Sequence, residues 1–447
     1  MESINGYRSV AEFYNGKSIF VTGGTGFLGK VLLEKLLYSC EGIANIFVLI
    51  RDKKGVTSEQ RLKQVIEKPV FSRIKTERPD DLNKLIPIRG DINLPNLGLT
   101  SADEEKLLEK VSVVIHMAAT IKFHEELKIS VNSNVKGTEY VLNLCHRIKR
   151  LEAFIHISTA YCNTDQQLLE EKVYPPRVEL DEVLRFIEQP DQDEEVIKKS
   201  FLKSLPNTYT FTKGLAENYV LDHHGNIPTV IVRPSIVSAA LREPLEGWID
   251  NWFGATGMIV STVKGANRVI LGHPENVLDL IPVDYVVNVI IVAASQCREK
   301  LTVYNCCTSS CNPLSLQKLV RRVKKTAIAI GFHDNSYSNA MFTNKKWMLL
   351  ILTFLLQTIP AYVGDLILWL MGKKPKYVKF QSQAIAVRNL INFFTSNSWE
   401  MKMDNVKTLH ASLSHVDQKD FPCDPSDINW KKYNNNFVVG IKKYLVK

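Results

Sequence analysis

The stretch Ser18-Ile-Phe-Val-Thr22 is a short apolar run, and it opens directly into Gly23-Gly24-Thr25-Gly26-Phe27-Leu28-Gly29. From Lys30 to Tyr38 the chain continues with Val31, Leu32, Leu36 and Leu37 at helical spacing. A strand, a G-x-x-G-x-x-G turn and a helix in immediate succession restrict the fold more than any other feature of the chain. Glycines permit a tight turn and let the backbone approach a ligand closely, while the helix N-terminus offers free N–H groups and partial positive charge to a pyrophosphate. A glycine motif alone is weak, but one placed between strand and helix is specific. Thr22, Gly23, Thr25, Gly26, Phe27, Leu28 and Gly29 are therefore expected to hold a dinucleotide.

The pattern then repeats. Short apolar runs at Ala44–Ile50, Leu85–Ile88, Val113–His116, Ala153–Ile157 and Thr229–Arg233 alternate with longer amphipathic stretches as far as about Val303. This predicts an α/β fold, a Rossmann-type doubly wound parallel sheet. Glu170 to Lys203, acidic and carrying Pro175-Pro176, reads as an insertion or lid outside the sheet. After about residue 312 the alternation stops, and the chain becomes helical, aromatic and basic. We expect a dinucleotide-binding domain over 1–312 and a smaller, mainly helical C-terminal domain over 313–447, a division that suits 447 residues.

The net charge of +9 is dispersed, and its densest groups, Arg321-Arg322-Val-Lys324-Lys325, Lys345-Lys346 and Lys373-Lys374-Pro-Lys376, flank apolar segments. That distribution favours a membrane surface, and without a nucleic-acid motif it argues against nucleic acid as a partner. The eight cysteines contain no C-x-x-C pair and are spread thinly, which speaks against zinc or a disulfide framework and for a reducing compartment. Residues 1–17 lack the apolar core of a signal peptide.

The residue that ends the second strand distinguishes NAD from NADP. Here Ile50 is followed by Arg51, Asp52, Lys53 and Lys54. Arg51, helped by Lys53, is placed to meet a 2′-phosphate, so the expected cofactor is NADPH. Asp52 could instead take a ribose hydroxyl, and we expect it to point away or to pair with a neighbouring lysine. Gly90-Asp91-Ile92 follows the third strand, where Asp91 can accept from the adenine amino group. His116-Met-Ala118-Ala119 follows the fourth, where small residues leave room for the nicotinamide half. Tyr209 and Lys213 lie four apart and share a helix face. The lysine ammonium is expected to lower the phenol's pKa, and Tyr209 to donate a proton to an oxygen that becomes alkoxide as hydride arrives. Ser158-Thr159, ending the fifth strand, supplies a hydroxyl for the same oxygen.

These stretches resemble the extended short-chain dehydrogenases/reductases. More narrowly, Val21-Thr-Gly-Gly-Thr-Gly-Phe-Leu-Gly-Lys-Val-Leu-Leu-Glu-Lys-Leu-Leu37, His116–Ala119, Ile157-Ser-Thr-Ala-Tyr161, Asn207–Lys213, Val232-Arg-Pro-Ser-Ile-Val237, Gly247-Trp-Ile-Asp250 and Leu280-Ile-Pro-Val-Asp284 resemble fatty acyl-CoA reductases, the family that includes male-sterility-type proteins. The resemblance covers nearly the whole chain. Ile50–Gly55 and Phe71–Lys75 look like insect members, moth ones in particular, and the stretch after Thr159 is shorter than in vertebrate members. The resemblance implies Tyr209 as proton donor, Lys213 as the residue that holds the ribose and tunes Tyr209, Thr159 (with Ser158 as the second hydroxyl) as the group that polarises the carbonyl, Asn134 behind the site, and Pro234 and Ser235 along the nicotinamide pocket. It further implies a long-chain fatty acyl-CoA substrate, reduced by NADPH to an aldehyde with loss of CoA and then to a primary alcohol. Cys162, close to Thr159, is expected to be a packed cysteine rather than an acyl carrier. A 3β-hydroxysteroid or sugar-nucleotide dehydrogenase would share the glycine loop and the Tyr/Lys pair but would leave the helical C-terminal part unaccounted for. A non-enzymatic cofactor-binding scaffold would not need Thr159, Tyr209 and Lys213 together.

Trp347 to Met371 (347–371) is largely apolar and contains one charge, Asp365, with Pro360 and Gly364 in the middle. It is long enough to cross a bilayer, but a charge there is costly. Three readings follow: a span, an interfacial or re-entrant anchor, or a buried helix of the C-terminal domain. The family resemblance adds the endoplasmic reticulum membrane as location, with the catalytic domain on the cytosolic side. Oligomeric state has no signature in the sequence.

Overall fold

The structure is a computed structural model that describes residues 7–189, 193–298, 300–332 and 340–446. Seven parallel strands form one sheet: β1 (Ser18–Thr22), β2 (Asn45–Ile50), β3 (Leu85–Arg89), β4 (Val111–His116), β5 (Ala153–Ile157), β6 (Thr229–Pro234) and β7 (Thr302–Cys306), in the order β7-β6-β5-β4-β1-β2-β3. Their Val- and Ile-rich sequences suit strands covered on both faces. Phe20 of β1 lies beside Phe47 of β2 and Val114 of β4. One buried side chain from each strand, namely Phe20, Phe47, Ile88, Val114, Phe154, Ile231 and Val303, joins a single apolar cluster with Val141 and Leu142. The strand order reverses between β1 and β4, so the crevice beyond their carboxyl ends is where a ligand fits. The first six strands fall where the sequence places them. The seventh lies at the limit of the readable alternation.

Three helices matter most for the site. α1 (Phe27–Ser39) buries Val31, Leu32, Leu36 and Leu37. α2 (Thr208–His223) carries the Tyr/Lys pair. α3 (Val283–Ser295) is buried almost throughout and packs on α1, β5 and β6. The stretch 170–203 contributes nothing to the seven-stranded sheet. Apart from 190–192, which lie outside the described residues, it forms the helix Leu180–Ile187 and short turns whose Val183, Ile187, Phe201 and Leu202 pack against Phe211 and Leu215 of α2.

The chain divides into two compact units, each assembled from three segments. The first comprises 1–235, 283–307 and 401–424, and the second 236–282, 308–400 and 425–447. One passage between them, at 307/308, falls near the expected junction at 312, while 236–282 and 401–424 cross it in opposite directions.

In the second unit, α4 (Lys346–Leu370) lies along α5 (Tyr377–Ser396). A π turn at Phe354–Thr358 precedes Pro360 and accommodates a ring that would otherwise clash with the preceding turn. Leu349, Thr353, Gln357 and Ala361, spaced by four, form the buried stripe of α4. Arg388 of α5 donates to the Thr353 hydroxyl (2.7 Å), and the Gln357 and Gln381 amides meet at 2.9 Å. Asp365 accepts the backbone N–H groups of Lys376, Tyr377 and Val378 (2.7, 2.8 and 2.9 Å), so the lone charge of the apolar stretch caps α5. Its apolar side chains point outward: Trp347, Leu350, Phe354, Tyr362, Leu366, Trp369 and Leu370 are all exposed. The buried-helix reading of this segment is therefore wrong, because only a narrow, mixed stripe turns inward and most of its large apolar side chains are exposed.

Candidate active site

The glycine loop is shaped by contacts that leave no room for side chains. Gly23 has φ +77°, and a Cβ on it would lie 2.8 Å from the Ala118 nitrogen. A Cβ on Gly29 would lie 2.4 Å from the Gly23 carbonyl oxygen, so the first turn of α1 sits directly on the loop. Gly26 is the exposed N-cap of α1, and no side chain competes there for the free N–H groups. Thr25 helps close the loop through its carbonyl, which accepts from Lys30 (3.1 Å), and Phe27 and Leu28 are half-buried at the helix start.

Thr22 ties the two strands that flank the crevice. Its hydroxyl accepts from the Met117 and Ala118 N–H groups (3.2 and 3.1 Å) and bonds His116 Nδ1 (2.7 Å). Ala118 and Ala119 thus line the loop beside the glycines. Asn134 lies in a π turn, Asn132–Lys136, a local irregularity frequent at functional sites. Its amide accepts from Thr120 N–H (2.9 Å) and donates to Thr120 O (3.2 Å) and the Thr212 hydroxyl (3.0 Å), clamping the loop after β4 to α2.

At the far end of the crevice Arg51 is 54% exposed, and its guanidinium is 3.6 Å from Asp91. Asp52 is already engaged: it accepts Ser58 N–H (2.9 Å) and pairs with Arg89 (2.9 Å). A helix N-terminus and an arginine hold it, not a lysine. Arg61 reaches back to the Arg51 carbonyl, and burial together with Arg51 lowers its pKa, so a second guanidinium that sequence reasoning missed stands at this rim. Lys53 sits on the exposed turn closed by the Lys53–Val56 bridge. Asp91 accepts from Asn93 N–H (3.0 Å), and the backbone at Ile92 rests against Gly137, where a Cβ would lie 3.2 Å from its carbonyl oxygen.

At the start of α2, Tyr209 and Lys213 lie one helical turn apart, with Thr159 beside Tyr209. The Thr159 side chain lies close enough to the Tyr209 phenol to favour its ionised form, and the Tyr209 ring stacks on Phe123 (6.0 Å between centroids). Burial, and behind it Cys162, push the Tyr209 pKa up, and Thr159 only partly opposes them. The expectation that the lysine would lower the phenol is not met. Burial dominates the shift and Lys213 is not among its causes; among the described residues the Lys213 ammonium hydrogen-bonds His156 Nε2 (3.4 Å). Burial also brings Lys213 down to about 8, opposed by Glu217. The phenol is therefore held protonated, as a proton donor must be.

Beneath this group lies a buried ion pair that the sequence did not signal. Glu217, two turns along α2 from Tyr209, binds Arg233 of β6 through Nε (2.8 Å) and Nη2 (2.6 Å), with side-chain exposures of 1% and 2%. Arg233 also donates to the Glu170 and Lys172 carbonyls (3.2 and 2.8 Å), and the Cys162 thiol donates to Glu217 (3.4 Å). Burial, with Glu217 next, pushes that thiol up to about 12, which makes Cys162 a packed thiol and not a nucleophile. Pro234 is buried at the end of β6, and among the described residues the buried hydroxyls of Ser158 and Ser235 have no hydrogen-bond partner. Two orphaned donors at adjacent strand ends and a glycine cradle that any Cβ would fill are the features a nicotinamide dinucleotide needs.

Two family models, both described as male sterility protein, match the chain: an NAD-binding one over residues 21–290 and a second over 356–447. The chain is 35% identical over 447 residues to fatty acyl-CoA reductase 1 of Homo sapiens, covering 98% of this chain and 86% of that one. It is 36% identical over 445 residues to fatty acyl-CoA reductase 2 of Mus musculus, with the same coverage. Among solved structures, its fold is shared by the terminal R domain of the myxalamid PKS-NRPS pathway (TM-score 0.61, 16% identity, 96% of this chain and 91% of that one). It is shared too by UDP-glucuronic acid 4-epimerase from Bacillus cereus in complex with NAD (TM-score 0.55, 17% identity, 96% and 100%).

Proposed function

Because this chain belongs to the male sterility family of fatty acyl-CoA reductases, as an oxidoreductase with a nicotinamide-binding fold, we propose that it reduces long-chain fatty acyl-CoA to a primary alcohol in two successive steps through a bound aldehyde, with CoA leaving after the first. The observation that supports this reading is the buried Tyr209, with Thr159 beside it and a buried Lys213 one turn further along the same helix. NADPH, when bound, supplies the hydride for each step. Thr159 holds the substrate oxygen, with Ser158 as the second hydroxyl at the strand end. Tyr209, kept protonated by burial, donates its proton to that oxygen as negative charge develops there. Lys213 holds the ribose and opposes build-up of negative charge on the phenol. Asn134 keeps the loop after β4 in register with α2. The pyrophosphate is assigned to the N–H groups of the loop from Thr22 to Gly29, the adenine to Asp91 and Ile92, and the nicotinamide to Ala118, Ala119 and Pro234. Arg51, with Arg61 behind it and Lys53 on the adjoining turn, is the cationic rim that favours a 2′-phosphate, while Asp52 is held elsewhere.

The membrane is the second part of the proposal. The exposed apolar face of α4, bounded by Lys345 and Lys346 at one end and Lys373, Lys374 and Lys376 at the other, suits a helix lying in the interface of an anionic bilayer. A transmembrane path for α4 would carry α5, with Lys379, Arg388 and Asn389, into hydrocarbon. We assign the membrane to the endoplasmic reticulum, with the catalytic residues on the cytosolic side.

The test is product analysis in cells that lack fatty alcohols. Alcohols should appear with the wild-type chain and be absent with Tyr209→Phe. Well-expressed, NADPH-binding protein that yields none would reject the reading in favour of a steroid or sugar-nucleotide dehydrogenase.

A further inference from the structure

A buried ammonium carries three N–H donors, and each needs an acceptor. Lys213 is 1% exposed, and among the described residues its hydrogen-bond acceptor is Nε2 of His156, 3.4 Å away. His156 is itself fully buried, in a strand whose other members are Ala153, Phe154, Ile155 and Ile157. A valine or isoleucine would pack there without a desolvation cost, so packing does not account for an imidazole. Among the described residues its Nδ1 has no hydrogen-bond partner. The neighbouring His116 ring, 5.6 Å away between centroids, differs in this respect: Thr22 and Thr138 occupy both of its nitrogens (2.7 and 3.1 Å). His116 is tied into the scaffold, whereas among the described residues the polar contact of His156 is Lys213.

We propose that His156 is a positioning residue for the reduction, an uncharged acceptor within the sheet that keeps the Lys213 ammonium charged and fixes the direction of its remaining N–H bonds toward the cofactor ribose. The proposal rests on the assignment of Lys213 to that ribose.

The surrounding charges leave this role to His156. Around Lys213 stand Glu217 and Tyr209 on its own helix, Cys162 on the segment after β5, and His156 and His116 on β5 and β4. Arg233 neutralises Glu217, and burial keeps Tyr209 and Cys162 protonated. Burial first, and then the charge of Lys213, hold His156 well below the usual imidazole value and bring His116 down to about 3. The proton that Lys213 and His156 could share therefore stays on the lysine, and His156 carries its own hydrogen on Nδ1.

The experiment follows kcat/KM for acyl-CoA reduction against pH in the full-length enzyme. Activity needs a charged lysine and a protonated tyrosine, so both losses appear on the alkaline limb. His156→Phe keeps the ring and removes the acceptor. It should move that limb toward acid by about one pH unit, the value of a charge-assisted hydrogen bond. His156→Gln, which sets an amide oxygen near the Nε2 position, should return the limb to the wild-type pH. A packing role would lower the rate without moving the limb. Wild-type limbs in both variants, or a glutamine variant displaced as far as phenylalanine, would overturn the proposal. Should His156→Phe not fold, nitrogen NMR of histidine-labelled wild-type enzyme decides. An Nδ1–H tautomer at His156 is expected, and an Nε2–H tautomer excludes the acceptor role. Full turnover in Lys213→Ala would instead reject the ribose assignment, a result separable from either outcome at His156.

Discussion

The tightest contact in the nucleotide cradle is the seat of α1 on the glycine loop, and Gly29→Ala tests it. The new Cβ would lie 2.4 Å from the Gly23 carbonyl oxygen, 2.6 Å from Gly24 Cα and 2.8 Å from Gly24 C. All three are backbone atoms, so no rotamer can relieve the clash. Restoring a normal separation of ~3.5 Å means lifting the start of α1 by about 1 Å. Overpacking of this kind costs about 1–3 kcal/mol. The displaced element is the one to which we assign the pyrophosphate, so the penalty should be felt in cofactor binding, as a roughly 5- to 150-fold rise in the NADPH Kd. The assay is equilibrium titration by nicotinamide fluorescence, with thermal melting alongside. Gly16→Ala is the control: Gly16 has φ +71° but nothing within 4 Å of a Cβ, so it should lose about 1 kcal/mol of stability and leave the Kd alone. A Gly29→Ala enzyme that binds NADPH within about threefold of wild type would refute the cradle as described.

Three further outcomes are expected. Arg51→Ala should weaken NADPH roughly 10- to 100-fold and leave NADH unchanged in the same titration, because only the phosphate contact is lost; equal weakening of both would exclude a 2′-phosphate role. Glu171, pushed up to about 7 by burial although it accepts Asn305 N–H (3.0 Å) and Asn405 N–H (2.5 Å), is costly to ionise in the fold. A raised carboxylate pKa means the folded state binds the extra proton, so stability falls as pH rises from ~4.3 through about 7, and melting curves of Glu171→Gln should lose that part of the slope. Leu350→Glu combined with Leu366→Glu, both on the exposed face of α4, should abolish co-sedimentation with anionic vesicles and spare the melting temperature; undiminished binding would remove α4 as the membrane contact.

Much of this was legible in the sequence because it is local. The run Ser18–Gly29 announces strand, turn and helix within a dozen residues, and Tyr209 and Lys213 are neighbours on one helix face. What escaped the sequence depends on partners far along the chain. His156 reads as one polar residue in an apolar strand until Lys213, 57 positions later, comes to lie beside it. Arg233 and Glu217 look like an ordinary strand end and a helix position, and only the fold buries them against each other. Arg61 lies on a helix that the second strand does not foreshadow. The outward face of α4 was ambiguous for a related reason: composition reports how apolar a segment is, whereas the Thr353–Arg388 and Asp365–α5 hydrogen bonds determine which side turns in.

The threading of the two units carries a consequence for biosynthesis. β6 ends at Pro234, but its sheet neighbour β7 begins only at Thr302, and the last segment of that unit is 401–424. At ~5–20 residues per second, the ribosome needs roughly 10–40 s to go from residue 235 to residue 424. For the early part of that interval the apolar β6 offers an open edge, a template for wrong pairing. The helix α4, with its exposed apolar face, also emerges before that unit is complete. A nascent chain of this design has good reason to meet a membrane or a chaperone before it is released, and trimming it near residue 400 to gain solubility would remove part of the catalytic unit itself.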